Sequence, residues 1–283
     1  MSNPFLPQRP VVAVHPKMAE ALPQAETITQ YFKEKGIDTP AGSLYDEGLR
    51  RRLKDGEFDM LIALGGDGTM LRAAHLCAPS DIPILGINIG RLGFLIQVEH
   101  KDSNTMLDHL LAGEAWIEKR MMMRVEQQRA GESLGVSHAL NEVAVSRGQF
   151  LRPIRLSVNV DSRLLTTYVA DGLIASTPTG STAYALAAGG PILPPDLRNI
   201  LIVPIAPHLS VDRAVVLSEG SSVSILIQSD NALFSVDGQE PIVLAEGDHV
   251  DVHSSKYTAS FVRFGDPNYF YRNLTAHMHQ NSI

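Results

Sequence analysis

The first hundred residues alternate between two patterns of apolar spacing. Runs that are apolar at nearly every position, PVVAVHP at 10–16, FDMLIALGG at 58–66 and IPILGINIG at 82–90, fit strands buried on both faces. Between them, MAEALPQAETITQYFKEKG at 18–36 spaces Ala, Leu, Ile and Phe at helical intervals and stops at Gly36. TMLRAAHLC at 69–77 and SNTMLDHLLAGE at 103–114 also have helical spacing. This β-α-β rhythm predicts a parallel sheet with helices on both faces.

The pattern changes near residue 120. RLSVNV at 155–160 alternates strictly, as does SVSILIQ at 222–228, where Val223, Ile225 and Ile227 share a face. Further strand signals follow at short intervals: ALFSVDGQEPIVL, DHVDVHSS and YTASFVRF. Alternation of this kind predicts antiparallel sheets with one face on a core. One helix-like island, STAYALAAGG from Ser181, interrupts it. The chain therefore reads as α/β plus all-β. A parallel α/β domain covers 1–115 and an antiparallel, sandwich-like β domain covers 116–265. Tyr269, Phe270 and Tyr271 in the tail, 266–283, would otherwise form an exposed apolar patch, so the tail is expected to pack back on the first domain.

Composition narrows the partners. Of the 283 residues, 44% are hydrophobic and 19% charged, an ordinary soluble balance with material for a real core. A net charge of −7 does not favour nucleic acid or an anionic membrane. The one cysteine, Cys77, excludes an intramolecular disulfide and a thiolate metal cluster. The N-terminus lacks a basic-then-apolar leader pattern, and no run approaches the roughly 20 apolar residues that span a bilayer. A cytoplasmic location is expected.

The candidate chemistry begins at GGDGT, residues 65–69. Strand, glycine turn and helix is the geometry that offers backbone N–H groups to an anion. Gly65 and Gly66 lack the Cβ atoms that would block a ligand, and the Thr69 hydroxyl is placed to cap the helix. Neither GxxxxGK[ST] nor GxGxxG occurs here. Asp67 has two readings. Asp-Gly pairs are common in turns. Alternatively, a hydroxyl that attacks phosphorus needs a base, and phosphoryl-transfer sites commonly use an Asp. On the second reading a neutral hydroxyl faces the carboxylate and the phosphates rest on the flanking amides.

Two further stretches carry candidate ligand groups. ADGLIASTPTGSTAYALAAGGP at 170–191 is dominated by small residues, leaves room for a flat ligand, and offers the hydroxyls of Thr177, Thr179, Ser181 and Thr182. The same small residues would equally let a helix pack tightly on a sheet. LNEVAVSRG places Asn141 and Glu142 at a strand start, where an amide and a carboxylate can read an adenine edge and a ribose diol, or simply end a strand.

GGDGT resembles the signature shared by NAD kinases, diacylglycerol and sphingosine-type lipid kinases, and 6-phosphofructokinases. The order GGDGT, NE, then DG followed by TPTGSTAY and GGP is similar to the NAD kinase family in particular; lipid kinases lack the last element. Residues 83–95 (PILGINIGRLGFL), 204–208 (PIAPH) and 234–240 (FSVDGQE) also look like NAD kinase segments, so the resemblance runs from about residue 10 to residue 270.

The resemblance implies a Rossmann-like first domain and transfer of a phosphoryl group from ATP, another nucleoside triphosphate or polyphosphate to the 2′-hydroxyl of the adenosine ribose of NAD. It makes Asp67 the proton acceptor and puts Gly68 against the dinucleotide, with Arg72 within reach of a phosphate or on a solvated helix face. It assigns NAD binding to Asn141, Glu142, Arg152, Asp171, Thr182, Ala183, Tyr184, Ala185, Leu186, Ala187 and Gln239. Asp171 is implied at the nicotinamide end, and Arg147 and Arg155 are alternatives to Arg152. His208 is implied as a phosphate contact, although Leu209, Ser210 and Val211 depart from the family's Ser-Leu-Ser run. No protein-caged metal is expected; Mg²⁺ or a similar divalent cation would arrive with the triphosphate. The expected partners are NAD, ATP and further copies of the chain, as a dimer or tetramer through the β domain. The competing readings are a lipid or sphingoid-base kinase and a non-catalytic dinucleotide sensor.

Overall fold

The computed structural model describes residues 5–16, 18–90, 93–148, 152–208, 212–268, 270, 271 and 274. The chain forms two compact units, one of Met1–Lys119 with Thr258–Ile283 and one of Arg120–Tyr257. The chain thus returns to the first unit inside a strand, earlier than the residue 265 expected from the pattern.

In the first unit the elements are β1 (Pro10–Val14), α1 (Ala21–Glu34), β2 (Ala41–Ser43), α2 (Glu47–Lys54), β3 (Met60–Gly65), α3 (Asp67–Cys77), β4 (Ile84–Asn88), β5 (Val98–Glu99) and α4 (Ser103–Leu111). Two long strands, β6 (Ala115–Arg129) and a last one described below, belong partly to it. The sheet order is β2-β1-β3-β4, and every one of these pairs is parallel. All residues of β1, β3 and β4 are buried, which is why their sequences are apolar at consecutive positions rather than alternating. Helix α1 lays Ala21, Ala25, Ile28 and Phe32 into the core, a stripe at helical spacing. Phe32 is fully buried, so truncation to Ala would cost about 3–5 kcal/mol. After α1, Gly36 adopts φ +78°, a left-handed conformation suited to glycine at a helix end.

The second unit continues with β7 (Glu132–Ala139), β8 (Glu142–Arg147), β9 (Ile154–Val160), β10 (Arg163–Ala170), β11 (Gly172–Ser176), α5 (Tyr184–Ala187), β12 (Leu201–Ile205), β13 (Val215–Val216), β14 (Val223–Ile227), β15 (Ala232–Val236), β16 (Ile242–Leu244) and β17 (His249–Phe264). A six-stranded antiparallel sheet has the order β13-β12-β11-β8-β15-β16. A second antiparallel ladder runs β10-β9-β14-β17. Alternate residues of both, including Val143 and Val145 from one and Leu156, Val158 and Ile225 from the other, meet in one core.

Two local expectations change. DHVDVHSS and YTASFVRF form the single strand β17, because its polar stretch at 253–256 breaks the apolar pattern without breaking the pairing-competent backbone. The helix-like island shrinks to a 3₁₀ turn, Gly180–Thr182, and the four-residue α5. The tail is described only in part: Phe270 and Tyr271 stack edge to face, Tyr271 is 60% exposed, and Tyr269 lies outside the described residues.

Candidate functional site

Strand β3 ends at Gly65, at the carboxyl edge of the parallel sheet, where open α/β sheets place ligands. Helix α3 starts at once, with Gly66 as its N-cap and Asp67 in its first turn. Thr69 therefore does not cap the helix. It is buried against Gly65 instead: a Cβ on Gly65 would stand 2.2 Å from Thr69 Oγ1. Gly65 is thus required by the protein's own packing, while Cβ positions on Gly66 and Gly68 meet nothing within 4 Å. Those two glycines leave the open approach.

The Asp67 carboxylate is held on both oxygens. Phe94 N–H donates to Oδ2 at 2.9 Å and Leu95 N–H donates to Oδ1 at 3.1 Å. Each oxygen retains a second acceptor direction. A carboxylate in a helix's first turn is also favoured by the helix dipole. On the exposed face of α3, the Arg72 guanidinium lies over the Tyr45 ring, 5.0 Å from its centroid.

In the second unit, Asn141 and Glu142 lead into β8 and are fixed by a residue that sequence reasoning missed. Asp237 accepts N–H bonds from Leu140 at 2.7 Å, Asn141 at 2.8 Å and Glu142 at 2.9 Å. Its own N–H donates to the Glu142 carbonyl at 2.9 Å. Asp237 and Gly238 have φ +48° and +66°, and Gln239 N–H closes the turn onto Val236 O at 3.0 Å. This is the primed Asp-Gly turn that hairpins prefer, here joining β15 to β16. The signal was in DGQ, as turn chemistry.

Glu142 is 8% exposed, and its Oε2 has no hydrogen-bond partner among the described residues. Burial and the nearby Asp237 charge push its carboxyl up to about 7, opposed by a bond from the Tyr184 backbone N–H. The buried Thr179 Oγ1 is also without a partner among the described residues. Buried polar atoms in native proteins nearly always have partners, so two such atoms in neighbouring segments mark where a polar ligand would complete the set.

The other hydroxyls of this stretch are used internally, against expectation. Thr177 is fully buried and donates to Leu140 O, and Ser181 donates to Pro178 O at 2.6 Å while accepting Leu193 N–H at 2.9 Å. A Cβ on Gly180 would lie 2.2 Å from Asn141 O. These bonds compete with helical ones and keep the island short. They also bring Asn141, Glu142, residues 177–187 and the Asp237 turn into one cluster. Within it Thr182 donates to Thr179 O at 3.1 Å, Ala185 is fully buried, Ala183 and Leu186 are half-buried, Ala187 is exposed, and Tyr184 is 44% exposed.

Other candidates stand elsewhere. The pairing of β11 with β8 sets Ser176 opposite Glu142 and Gly172 opposite Ser146. Asp171, just before Gly172, is therefore at the far end of the strand pair, roughly 17 Å from the Glu142 end. There it forms an ion pair with Arg147 at 3.2 Å. His208 is exposed and its N–H donates to Val169 O at 2.7 Å; Leu209, Ser210 and Val211 lie outside the described residues. Arg152, Arg155 and Gln239 are exposed. Among the described residues, no group of three or more His, Cys, Asp and Glu is arranged to hold a metal ion, and no helix is long and apolar enough to cross a membrane.

Comparison with known proteins covers nearly the whole chain. The ATP-NAD kinase N-terminal domain matches residues 8–115 and the ATP-NAD kinase C-terminal domain matches residues 140–264. An NAD kinase of Chloroflexus aggregans is 38% identical over 275 residues, 97% of this chain and 99% of that protein. An NAD kinase of Moorella thermoacetica is 46% identical over 213 residues, 75% of this chain and 68% of that protein. Among solved structures, yeast NADH kinase complexed with NADH superposes with TM-score 0.81 at 27% identity, over 100% of this chain and 90% of that one. An NAD kinase from Archaeoglobus fulgidus in complex with ATP gives TM-score 0.76 at 26% identity, over 96% and 98%. With both domains matched in order and a relative aligned end to end, the chain belongs to the NAD kinase family.

Proposed function

We propose that Asp67 is the general base of the NAD kinase reaction. The 2′-hydroxyl of the adenosine ribose gives its proton to the carboxylate, its oxygen forms the new bond to the γ-phosphorus of ATP, and the bond from that phosphorus to the β,γ-bridging oxygen breaks, releasing ADP and NADP. The observation that carries this reading is the Asp67 carboxylate itself. Both oxygens are oriented by backbone amides, both keep a free acceptor direction, and the glycines on either side leave the approach open. A hydroxyl can reach such a group while phosphates rest on amides of the helix start.

Glu142 and Asn141 hold the adenosine: the unpartnered Glu142 oxygen accepts from a ribose hydroxyl, and the Asn141 amide reads the adenine edge. Exposed Tyr184 offers a ring for stacking, and Thr182, Ala183, Ala185, Leu186, Ala187 and Gln239 surround the same cluster. Asp171 takes the nicotinamide end, since its distance from Glu142 suits a dinucleotide rather than one nucleoside. Arg72, Arg152 and His208 are phosphate contacts, and Gly68 lies against the dinucleotide. ATP enters as its Mg²⁺ complex, the cation being part of the substrate. The yeast relative complexed with NADH and the archaeal relative in complex with ATP supply the substrate classes.

The enzyme works as a homo-oligomer in the cytoplasm. Val216 on β13 and Ile242 and Val243 on β16 expose apolar side chains at the two edges of the six-stranded sheet, which a second copy would cover.

The test is production of NADP from NAD, ATP and Mg²⁺, read with an NADP-specific dehydrogenase. Asp67→Asn should lower kcat by about 10²–10⁴-fold with the dinucleotide still bound. Full turnover by that variant would sink the assignment of the base.

A further inference from the structure

We infer that Arg263 is a positioning residue for the phosphoryl transfer, acting through Leu95 on the Asp67 carboxylate; the inference rests on the reading of Asp67 as the base. Arg263 sits near the end of β17, and its neighbours Val262 and Phe264 point into the core of the first unit. Arg263 is on the opposite face and is only 1% exposed. Its Nε donates to Glu118 Oε2 at 2.7 Å, and Glu118 is itself buried. The guanidinium packs 5.0 Å from the centroid of the Phe261 ring.

A second nitrogen of that guanidinium reaches the reaction. Arg263 Nη1 donates to the Leu95 carbonyl at 2.9 Å. The N–H of the same residue, Leu95, donates to Asp67 Oδ1, and the preceding Phe94 N–H donates to Oδ2. Leu95 is thus held by its carbonyl to the buried ion pair and by its amide to the carboxylate. The next residues are held as firmly. Gln97 Nε2 donates to Phe264 O at 2.9 Å, and Phe264 N–H donates back to Gln97 Oε1 at 3.0 Å. Segment 94–97 therefore has Asp67 on one side and residues 263–264 on the other.

Energetics argue that this pair does more than stabilise. Desolvating two charges is expensive, and replacing a buried ion pair by apolar side chains of similar size is often neutral or stabilising. A planar fork, however, can bond a carboxylate and a carbonyl at once in a fixed geometry, which no apolar residue can. That geometry sets where the Leu95 amide points, and hence the orientation of Asp67. Catalytic geometry tolerates little displacement, so the consequence falls on the chemical step.

The experiment compares Arg263→Met, Arg263→Lys, the double variant Glu118→Leu with Arg263→Met, and Asp67→Asn as a separate arm. Each is measured for kcat, for KM of NAD and of ATP, for melting temperature, and for exchange of the Leu95 amide proton. Arg263→Met should lower kcat about 10- to 100-fold with both KM values within about twofold, as misplacement of a reacting group does. Arg263→Lys keeps the charge and a donor but not the planar fork, so it should recover only part of the rate. The double variant should regain the melting temperature but not kcat, and its Leu95 amide should exchange faster. A double variant with wild-type kcat and a protected Leu95 amide would overturn the inference while leaving Asp67 as the base. Undiminished turnover by Asp67→Asn would instead remove the reading on which the inference stands.

Discussion

A Cβ placed on Gly93 would stand 2.2 Å from Cγ, Oδ1 and Oδ2 of Asp67. No side chain can occupy that position while the carboxylate keeps its bonds to Phe94 and Leu95. Gly93→Ala should therefore rotate Asp67 away and lower kcat by about 10²-fold, with smaller changes in KM. Gly68→Ala meets open space in the chain and should fold normally, so its loss should appear in the KM for NAD. Steady-state kinetics on the two variants, with melting temperatures, separate the effects. Equal kcat in wild type and Gly93→Ala would show that the held orientation does not matter.

Asp237 satisfies three successive amides at the head of β8. Removing their acceptor leaves donors that desolvation makes costly, so Asp237→Ala should destabilise by about 2–4 kcal/mol in urea melts. It should also raise the KM for NAD, because Asn141 and Glu142 lose their anchor. Asp237→Asn keeps one carbonyl oxygen and should fall between the two. Wild-type affinity in a folded Asp237→Ala protein would mean that the β8 head is ordered by the strand alone.

A second carboxylate, Asp248, contributes to the acid limit of the fold. It is fully buried and accepts Arg129 Nε at 2.7 Å and Nη2 at 2.8 Å, with Ala245 N–H at 3.0 Å and Gln127 Nε2 at 3.2 Å. The Arg129 bonds, over the opposing effect of burial, hold its carboxyl at about 2, below an ordinary 3.8. A depressed carboxyl gives stability that is present above the ordinary value and lost as pH falls through the lower one. The contribution is about 2 kcal/mol, disappearing between roughly pH 4 and 2. Asp248→Asn should lose that much at neutral pH and flatten the acid limb of a pH-dependent melt. An unchanged limb would assign acid unfolding to other groups.

Local and long-range information separate clearly in this chain. The turn from β3 into α3 was legible because it depends on an apolar run, two glycines and an acid that are adjacent in sequence. Asn141 and Glu142 were legible as polar groups at a strand start, but their residue types alone fitted an ordinary strand end, and the NAD-binding expectation came from the family resemblance. What holds these groups was not. Gly93 and Leu95 meet Asp67 from 26 and 28 residues away, Asp237 meets Asn141 from 96, and Arg263 meets Leu95 from 168. No periodicity reports such pairings. The hydroxyls of Thr177 and Ser181 show the opposite error. In sequence they look available to a ligand, yet both are spent on backbone groups of their own unit, and only Thr179 in that run keeps an unpartnered oxygen among the described residues.

Glu142 gives the prediction that links stability to binding. Its carboxyl is raised from about 4.5 to about 7, chiefly by burial and then by the Asp237 charge. Below the ordinary value it is protonated whether the chain is folded or not, and it imposes no penalty. As pH rises from about 4.5 through 7, the folded form binds more protons than the unfolded one, so this group's contribution to stability falls. The loss is complete above 7 and amounts to about 3 kcal/mol. This window lies above that of Asp248, so the two slopes can be read apart, and Glu142→Gln should remove the upper one and raise the melting temperature at pH 8. Ligand binding works in the other direction. A ribose hydroxyl donating to the Glu142 oxygen favours the ionised form. NAD should therefore bind more tightly as pH rises from 5 to 7, and at pH 6 binding should release a measurable fraction of a proton. Calorimetry in two buffers of different ionisation enthalpy measures that proton directly. Its absence in the wild type, or its persistence in Glu142→Gln, would remove Glu142 from the ribose contact.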